Sequence, residues 1–359
     1  MIKPYFAPAI LLLASACGGG GGGGVPSNPN PADTQSPVIT LSGAASVSIE
    51  QNSSYEDAGA SATDNIDSSV EVSASGAVDT STIGEYTITF TATDNAGNSS
   101  TLDRLVNVVD IDVDAAKWFH QTVLPNGSAW FNGEQQHYTD RTENSYVSDG
   151  TLKIVALKES FSDQGVTKNY TSARLNSKYS FTYGRIEVRA KLPSGVGTWP
   201  AVWLLGKNIS ETGAYWQTQG YGDTPWPASG EADLFEHWGS DQNYVSSATH
   251  TPSSFGNTVN VGGQYVGTAS TEFHLYELDW SAEQMVFSVD GAVHLTYAPV
   301  VKDADTWPFD DELYLLLNVA IQDSVAAEFE SSQMEIDYVR VYAPGAGSNA
   351  SPMWSDEFD

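Results

Sequence analysis

A single cysteine, Cys17, occurs in the 359 residues. That excludes an intrachain disulfide and any zinc site built on cysteines. Basic residues are scarce as well: 15 Lys+Arg stand against 45 Asp+Glu, a net charge of −30. A field of that sign repels phosphate backbones and other polyanions, which argues against nucleic acid, anionic membrane surfaces and heavily sulfated polymers as partners. A neutral partner is expected. Long apolar runs are missing: the one concentrated stretch, residues 1–16 (MIKPYFAPAILLLASA), is too short to span a bilayer as a helix. No segment sustains a 3.6-residue apolar period with caps at both ends, so a helical fold is not indicated. Nothing calls for a second subunit, and a monomer is expected.

What is present starts with the leader. Residues 1–16 carry one early lysine, an apolar run and then small residues, the make-up of a secretory signal peptide. The tetrad ASAC at 14–17 resembles the lipobox of bacterial lipoproteins, with alanine where leucine is commoner. The resemblance implies that Cys17 is lipidated; ordinary cleavage leaving a stray thiol is the alternative. Seven glycines at 18–24 and a Pro/Asn/Ser-rich stretch to residue 36 read as a flexible tether over 17–36. An exported protein held by lipid at the surface or outer membrane of a bacterium is thereby implied.

Short β-branched runs at 38–41, 46–49, 70–72, 86–92 and 105–109 are separated by turn signals such as Asp64-Asn65 and DNAGN at 94–98. Strands at this spacing predict a small β-sandwich over 37–110. YEDAGASATDN, IGEYTITFTATDNAGN and RLVNVVD resemble a bacterial immunoglobulin-like module found beside surface enzymes. Between residues 25 and 110 there are twelve acidic residues, one base (Arg104) and no tryptophan. Without an aromatic platform the module reads as a spacer, with sugar binding or calcium stiffening at the Asp-Asn turns as alternatives.

All ten tryptophans and 13 of the 15 Lys/Arg residues lie beyond residue 110, so residues 111–359 form a unit of different chemistry. Alternating runs recur there, as in TLKIVAL at 151–157, GRIEVRAK at 184–191 and IDYVRVY at 336–342, and Asp149-Gly150 and Asp290-Gly291 supply hairpin turns. The fold class is therefore all-β: a large antiparallel sandwich with alternate positions of one sheet facing a cleft.

The decisive segment is SGEADLFEHWG at 229–239. On a strand, Glu231 and Asp233 point the same way and Glu236 the other. One β-bulge at Leu234 and Phe235 returns Glu236 to the shared face. Glu231 and Glu236 then stand four strand steps apart, ~13 Å along the backbone. Side chains leaning toward each other can close their carboxyls to the ~5–5.5 Å of a retaining glycosidase. A solvated acidic strand is the competing explanation, but Ala232, Leu234 and Phe235 alternate with the acids, and Trp226 and Trp238 flank them. Clustered carboxylates beside aromatic surface raise one another's pKa, as a general acid near neutrality requires.

The pattern Glu-x-Asp-x-x-Glu resembles the catalytic signature of glycoside hydrolase family 16 in its bulged form. WFNGEQQHY at 130–138, YTSAR at 170–174, YGRIEVRAK at 183–191, GTWPAVW at 197–203, HTP at 250–252 and EIDYVRVY at 335–342 are similar to the laminarinase branch of that family. The resemblance implies a jelly-roll sandwich, no cofactor for catalysis, and endo-acting hydrolysis of β-1,3-glucan with retention. Mixed-linkage glucan, agar or carrageenan are alternative substrates, and a non-catalytic glucan-binding surface lipoprotein is an alternative of another class. By position, Glu231 becomes the nucleophile, Glu236 the acid/base and Asp233 the group that holds proton and charge between them. Trp199, Trp203 and Trp226 match walls of the sugar cleft, where an indole face stacks on a pyranose, and core packing is the alternative for each. Asn132 and Arg174 match substrate contacts, against ordinary surface hydrogen bonding. His250 matches a histidine near the acid/base, against a structural role; metal chemistry there is not expected, because no second His or Cys is placed to complete a transition-metal site.

The family opens with a strand like WSDEFD, which here stands at 354–359 instead of before residue 111. A circular permutation is expected, the displaced strand pairing beside 335–342; the rival is the start of a truncated second module. The resemblance also implies a structural calcium at positions matching Asp337, the Gly150 carbonyl and Glu357.

Overall fold

The computed structural model describes residues 33–109, 111–347 and 349–358. The leader at 1–16, Cys17 and the tether up to residue 32 lie outside the described residues. Two compact units divide between Val108 and Val109. Among the described residues no helix is long and apolar enough to cross a membrane.

The first unit comprises β1 (Val38–Leu41), β2 (Ser46–Glu50), β3 (Ala60–Thr63), β4 (Val72–Ser75), β5 (Gly84–Thr93) and β6 (Ser99–Val109). They form a two-stranded sheet, β1-β3, and a four-stranded sheet, β2-β6-β5-β4. Alternate residues Ile88, Phe90 and Val106 bury against Ile39, Leu41 and Ile49. Arg104 is buried and makes an ion pair with Asp57, while its guanidinium also donates to the carbonyls of Ala44 at 3.0 Å and Ser42 at 2.6 Å. A buried charge is tolerated because each donor has an acceptor. One oxygen each of Asp33, Asp64 and Asp94 lies within 4.8 Å of the others. All three carboxylates already accept hydrogen bonds, from the amides of Gln35, Ile66 and Asn98 respectively.

The second unit holds β7 (Trp118–His120), β8 (Gln136–Tyr138), β9 (Ser145–Ser148), β10 (Thr151–Asp163), β11 (Val166–Ser172), β12 (Arg174–Phe181), β13 (Gly184–Lys191) and β14 (Thr198–Gly206). After α1 (Tyr215–Thr218) come β15 (Glu231–His237), β16 (Tyr244–His250), β17 (Val261–Tyr265), β18 (His274–Trp280), β19 (Met285–Val289), β20 (Ala292–Tyr297), β21 (Leu313–Ile321), β22 (Ser331–Tyr342) and β23 (Trp354–Asp356). A ten-stranded sheet runs β20-β19-β18-β13-β22-β10-β11-β8, with β9 on β10 and β23 on β22. A seven-stranded sheet runs β17-β16-β15-β14-β21-β12-β7. The pairings are antiparallel except β8 with β11. The sandwich fold is thus all-β, as the alternating runs predict. At the β9–β10 and β19–β20 turns, Asp149-Gly150 and Asp290-Gly291 all take positive φ, the geometry two-residue hairpins demand.

The core lies between the sheets. Leu152, Ile154 and Ala156 of β10 and Ile186, Val188 and Ala190 of β13 meet Leu313, Leu315, Leu317, Val319 and Ile321 of β21. Because side chains alternate, the intervening residues of β21 face the other side of the seven-stranded sheet. Asn318 and Ala320 there line a cavity.

The chain's closing segment does pair beside 335–342. β23 runs antiparallel to β22 with Val339 opposite Asp356 and Val341 opposite Trp354. Trp354 stacks on Tyr179 at 5.5 Å, Phe358 stacks on Trp118 at 6.4 Å, and Phe358 is buried in the main core.

The calcium expectation meets a donor set that does not fit. Register brings Gly150, Asp337 and Glu357 toward one corner of β22. Asp337 Oδ2, however, accepts from Arg189 Nη1 at 2.6 Å, and Glu357 takes a fork of bonds from Arg340 at 2.6–3.2 Å. Two guanidinium charges at the carboxylates oppose a divalent cation.

Candidate active site

The floor of the cavity is β15. Its neighbour β14 pairs Val202 with Phe235 and Trp203 with Asp233, skipping Leu234, and β16 pairs Ala248 with Asp233 and Ser246 with Glu236. This is a β-bulge at Leu234 and Phe235. Its consequence is the one that chemistry needs: Ala232, Leu234 and Phe235 all enter the inter-sheet core, while Glu231, Asp233 and Glu236 line the same cavity of about 400 Å³.

Two indoles hold the outer acids. Trp226 Nε1 donates to Glu231 Oε2 at 3.0 Å, and Trp199 Nε1 donates to Glu236 Oε1 at 2.9 Å. Trp226 keeps 42% of its surface exposed, an open face beside the acids. Trp199 stacks on Trp238 with centroids 6.1 Å apart. Trp203 lines the cavity while its Nε1 donates to Asn318 Oδ1 at 2.8 Å.

Burial dominates the electrostatics. It pushes Glu236 up to about 8, aided by the charge of Asp233 and opposed by the Trp199 hydrogen bond and by His250. Asp233 is pushed up to about 7 by burial. Glu231 is raised well above the carboxylate range by burial and then by Asp233, with His250 and Trp226 pulling the other way. Three such groups cannot all ionise together.

His250 lies within the acid cluster. It is paired across from Glu231, and its Nε2 lies 3.2 Å from Asp233 Oδ2 and 3.7 Å from Glu231 Oε1. The histidine therefore sits against the Glu231–Asp233 pair, because β16 sets it opposite the first acid of the strand, and from there its charge also lowers the pKa of Glu236. No second His or Cys stands in this cluster, but two carboxylates do. Counting carboxylates, ligand atoms of Glu231, Asp233 and His250 lie within 4.8 Å of one another.

Asn132 and Arg174 both line the cavity. Arg174 is buried, with Nη2 bonded to both oxygens of Glu211 at 2.9 and 3.1 Å and Nε to Gln121 Oε1 at 3.1 Å. Its guanidinium also lies 4.9 Å from the centre of the Trp203 ring and 5.3 Å from that of Trp130. Glu134, Glu211 and Asn318 line the same cavity and were not singled out by sequence reasoning. Glu134 lies inside the WFNGEQQHY segment, which was its available signal. Its Oε2 accepts from Gln136 Nε2 at 2.7 Å and Tyr138 Oη at 2.9 Å, and burial raises its pKa despite Arg174.

A family model, glycosyl hydrolases family 16, matches residues 132–340. The chain belongs to this family. A model for the Ig-like domain of bacterial surface proteins matches residues 39–108. A beta-glucanase of Rhodothermus marinus is 37% identical over 245 residues, covering 64% of this chain and 80% of the relative. Among solved structures, a single-residue variant of LamA of Zobellia galactanivorans in complex with laminaritriose and laminaritetraose is 43% identical with a TM-score of 0.59, over 64% of this chain and 94% of that one. The laminarinase of Rhodothermus marinus is 38% identical with a TM-score of 0.56, over 64% and 92%. The chain is thus a family 16 glycoside hydrolase, and its all-β sandwich is the fold of these neighbours.

Proposed function

We propose that this protein is a retaining, endo-acting hydrolase of β-1,3-glucan. The observation that carries the reading is the bulge in β15, which turns Glu231, Asp233 and Glu236 to one cavity. Glu236, pushed up to about 8, is protonated at neutral pH and stands ready to donate. Glu231 attacks the anomeric carbon as Glu236 passes its proton to the glycosidic oxygen, so the carbon–oxygen bond breaks and a glycosyl ester forms on Glu231. Glu236, now a carboxylate, takes a proton from water, which attacks the same carbon and releases Glu231. Two displacements give net retention. Burial raises Glu231 as well, so its attack requires that it give up its proton first; the Trp226 hydrogen bond and His250 favour that ionised form, and a neutral Asp233 beside it avoids adjacent anions. His250 faces that pair and offsets its negative charge.

Trp199, Trp203 and Trp226 offer indole faces to pyranose rings, and Asn132 and Arg174 offer donors to ring hydroxyls. The relatives named for laminarinase activity and the complex with laminari-oligosaccharides support β-1,3-glucan as substrate. Net charge −30 suits a neutral polymer over sulfated galactans. Export and lipid anchoring through Cys17 rest on the leader sequence, and Cys17→Ser should release the protein from membranes. Proton NMR of laminarin digestion tests the central reading. The β-anomer should accumulate first; an initial α-anomer, or hydrolysis of mixed-linkage glucan or agar in preference to laminarin, overturns it.

A further inference from the structure

The bulge removes a carbonyl from the ladder. Between the pairs Asp233–Ala248 and Glu236–Ser246, two residues of β15 face only Ser247. A buried carbonyl left without a donor costs ~1–3 kcal/mol. Here Ser247 supplies the donor: its Oγ lies 2.7 Å from the Leu234 carbonyl, and Ser247 is fully buried. A serine hydroxyl has one proton. With that proton given to Leu234, Ser247 Oγ accepts from His294 Nε2 at 2.8 Å. This arrangement uses the tautomer with the imidazole proton on Nε2. Burial lowers the pKa of His294, which favours the neutral ring. His294 belongs to β20, in the ten-stranded sheet, whereas Ser247 and Leu234 belong to the seven-stranded one. The two hydrogen bonds run from one sheet to the bulged peptide of the other.

We propose that Ser247 and His294 are positioning residues of the reaction: a hydroxyl–imidazole strut that fixes the bulge and with it the placement of Glu236 against Glu231. The proposal rests on the reading of the three acids as the catalytic set. Glu236 lies two residues beyond the pinned carbonyl, and among the described residues its carboxylate is held by one indole donor, from Trp199. Rotation of the Leu234 peptide swings the next side chains, and misplacement of a catalytic group by ~1 Å costs about 10²-fold in rate.

The test compares Ser247→Ala, Ser247→Thr, His294→Phe and His294→Gln in the full chain on laminarin, at a temperature where each is folded by circular dichroism. Ser247→Ala and His294→Phe should lower kcat by roughly 10- to 100-fold with KM within about twofold, and displace the alkaline limb of the pH–rate profile. Ser247→Thr keeps the hydroxyl and His294→Gln keeps an N–H donor, so both should recover most of kcat. Unchanged kcat in Ser247→Ala, or a fall in melting temperature alone, overturns the strut. So does a Ser247→Thr variant as slow as Ser247→Ala. Hydrogen exchange at residues 233–237 reads the bulge without turnover: faster exchange in Ser247→Ala supports the strut, and identical exchange refutes it. An inactive wild-type protein would instead refute the assignment of the acids, leaving the exchange result to decide the strut.

Discussion

Trp199 donates its indole N–H to Glu236 at 2.9 Å, a bond that favours the ionised carboxylate against burial and the charge of Asp233. Trp199→Phe keeps an aromatic wall and removes the donor. The pKa of Glu236 should then rise above about 8, moving the alkaline limb of kcat/KM upward in pH. A several-fold fall in kcat should accompany it, since a weaker acid transfers its proton less readily. A pH profile that stays in place or moves down would show that the indole does not tune this group.

Glu231 carries the covalent bond in the proposed mechanism, so no neighbour can replace it. Glu231→Gln preserves shape and the acceptor for Trp226 Nε1. Turnover on laminarin should drop by about 10⁴-fold or more while laminari-oligosaccharide affinity, read by calorimetry, stays within a few-fold. Substantial residual turnover would remove Glu231 from the role of nucleophile.

The raised acids also shape stability against pH. Glu236 has a folded pKa of about 8 against a reference of 4.5. Below the reference value both folded and unfolded states are protonated, so the group is neutral in its effect. As pH rises from about 4.5 to 8, the unfolded chain sheds this proton first, and the folded state loses ground. Glu236→Gln should therefore raise the melting temperature at pH 8 by some degrees, at ~2–4 °C per kcal/mol, and change it little at pH 4. Calorimetry at the two pH values checks the sign. Equal shifts at both would indicate a packing effect instead.

Several of these features were legible before any coordinates. Parity along β15 puts Glu231 and Asp233 on one face, and the bulge follows from asking what returns Glu236 to it. Turn chemistry located the β9–β10 and β19–β20 hairpins through Asp-Gly pairs. Other features had no local signal. β3, Ala60–Thr63, lacks the β-branched run that marked its neighbours. Glu211 meets Arg174 across 37 residues of sequence, and only the folded cavity reveals the pair. His250 was placed by motif position, but its contacts are decided by cross-strand register with Glu231. At the positions matched to calcium, Arg189 and Arg340 meet Asp337 and Glu357 through pairings that the motif does not specify.

The Arg174–Glu211 pair shows how far stability and binding are joined in this cavity. Both side chains are nearly fully buried, at 3% and 7% exposure. Glu211→Ala leaves the guanidinium without its carboxylate, and breaking a buried pair costs ~3–5 kcal/mol. The melting temperature should fall, and KM for laminari-oligosaccharides should rise as Arg174 loses its orientation. Removing the charge together with its partner, in an Arg174→Met and Glu211→Leu double variant, should recover stability without recovering KM. Recovery of both would show that the pair serves folding alone.

The last strand is the most exposed to test. β23 contributes Asp356, whose Oδ2 accepts from Trp118 Nε1 at 2.7 Å and whose Oδ1 pairs with Lys117 at 2.8 Å. Trp118 is 1% exposed, so its indole N–H has no water to fall back on. Asp356→Ala should cost ~1–3 kcal/mol through that unmet donor. Deleting residues 352–359 should cost more, since it also strips the aromatic cover of Trp354 and Phe358 and the ladder to β22. A synthetic peptide of residues 352–359, added to the truncated chain, should restore part of the lost melting temperature in a concentration-dependent way, because it binds the folded state alone. A truncated chain with full activity and the wild-type melting temperature would mean that this segment is an appendage, and the idea of a displaced opening strand would have to be given up.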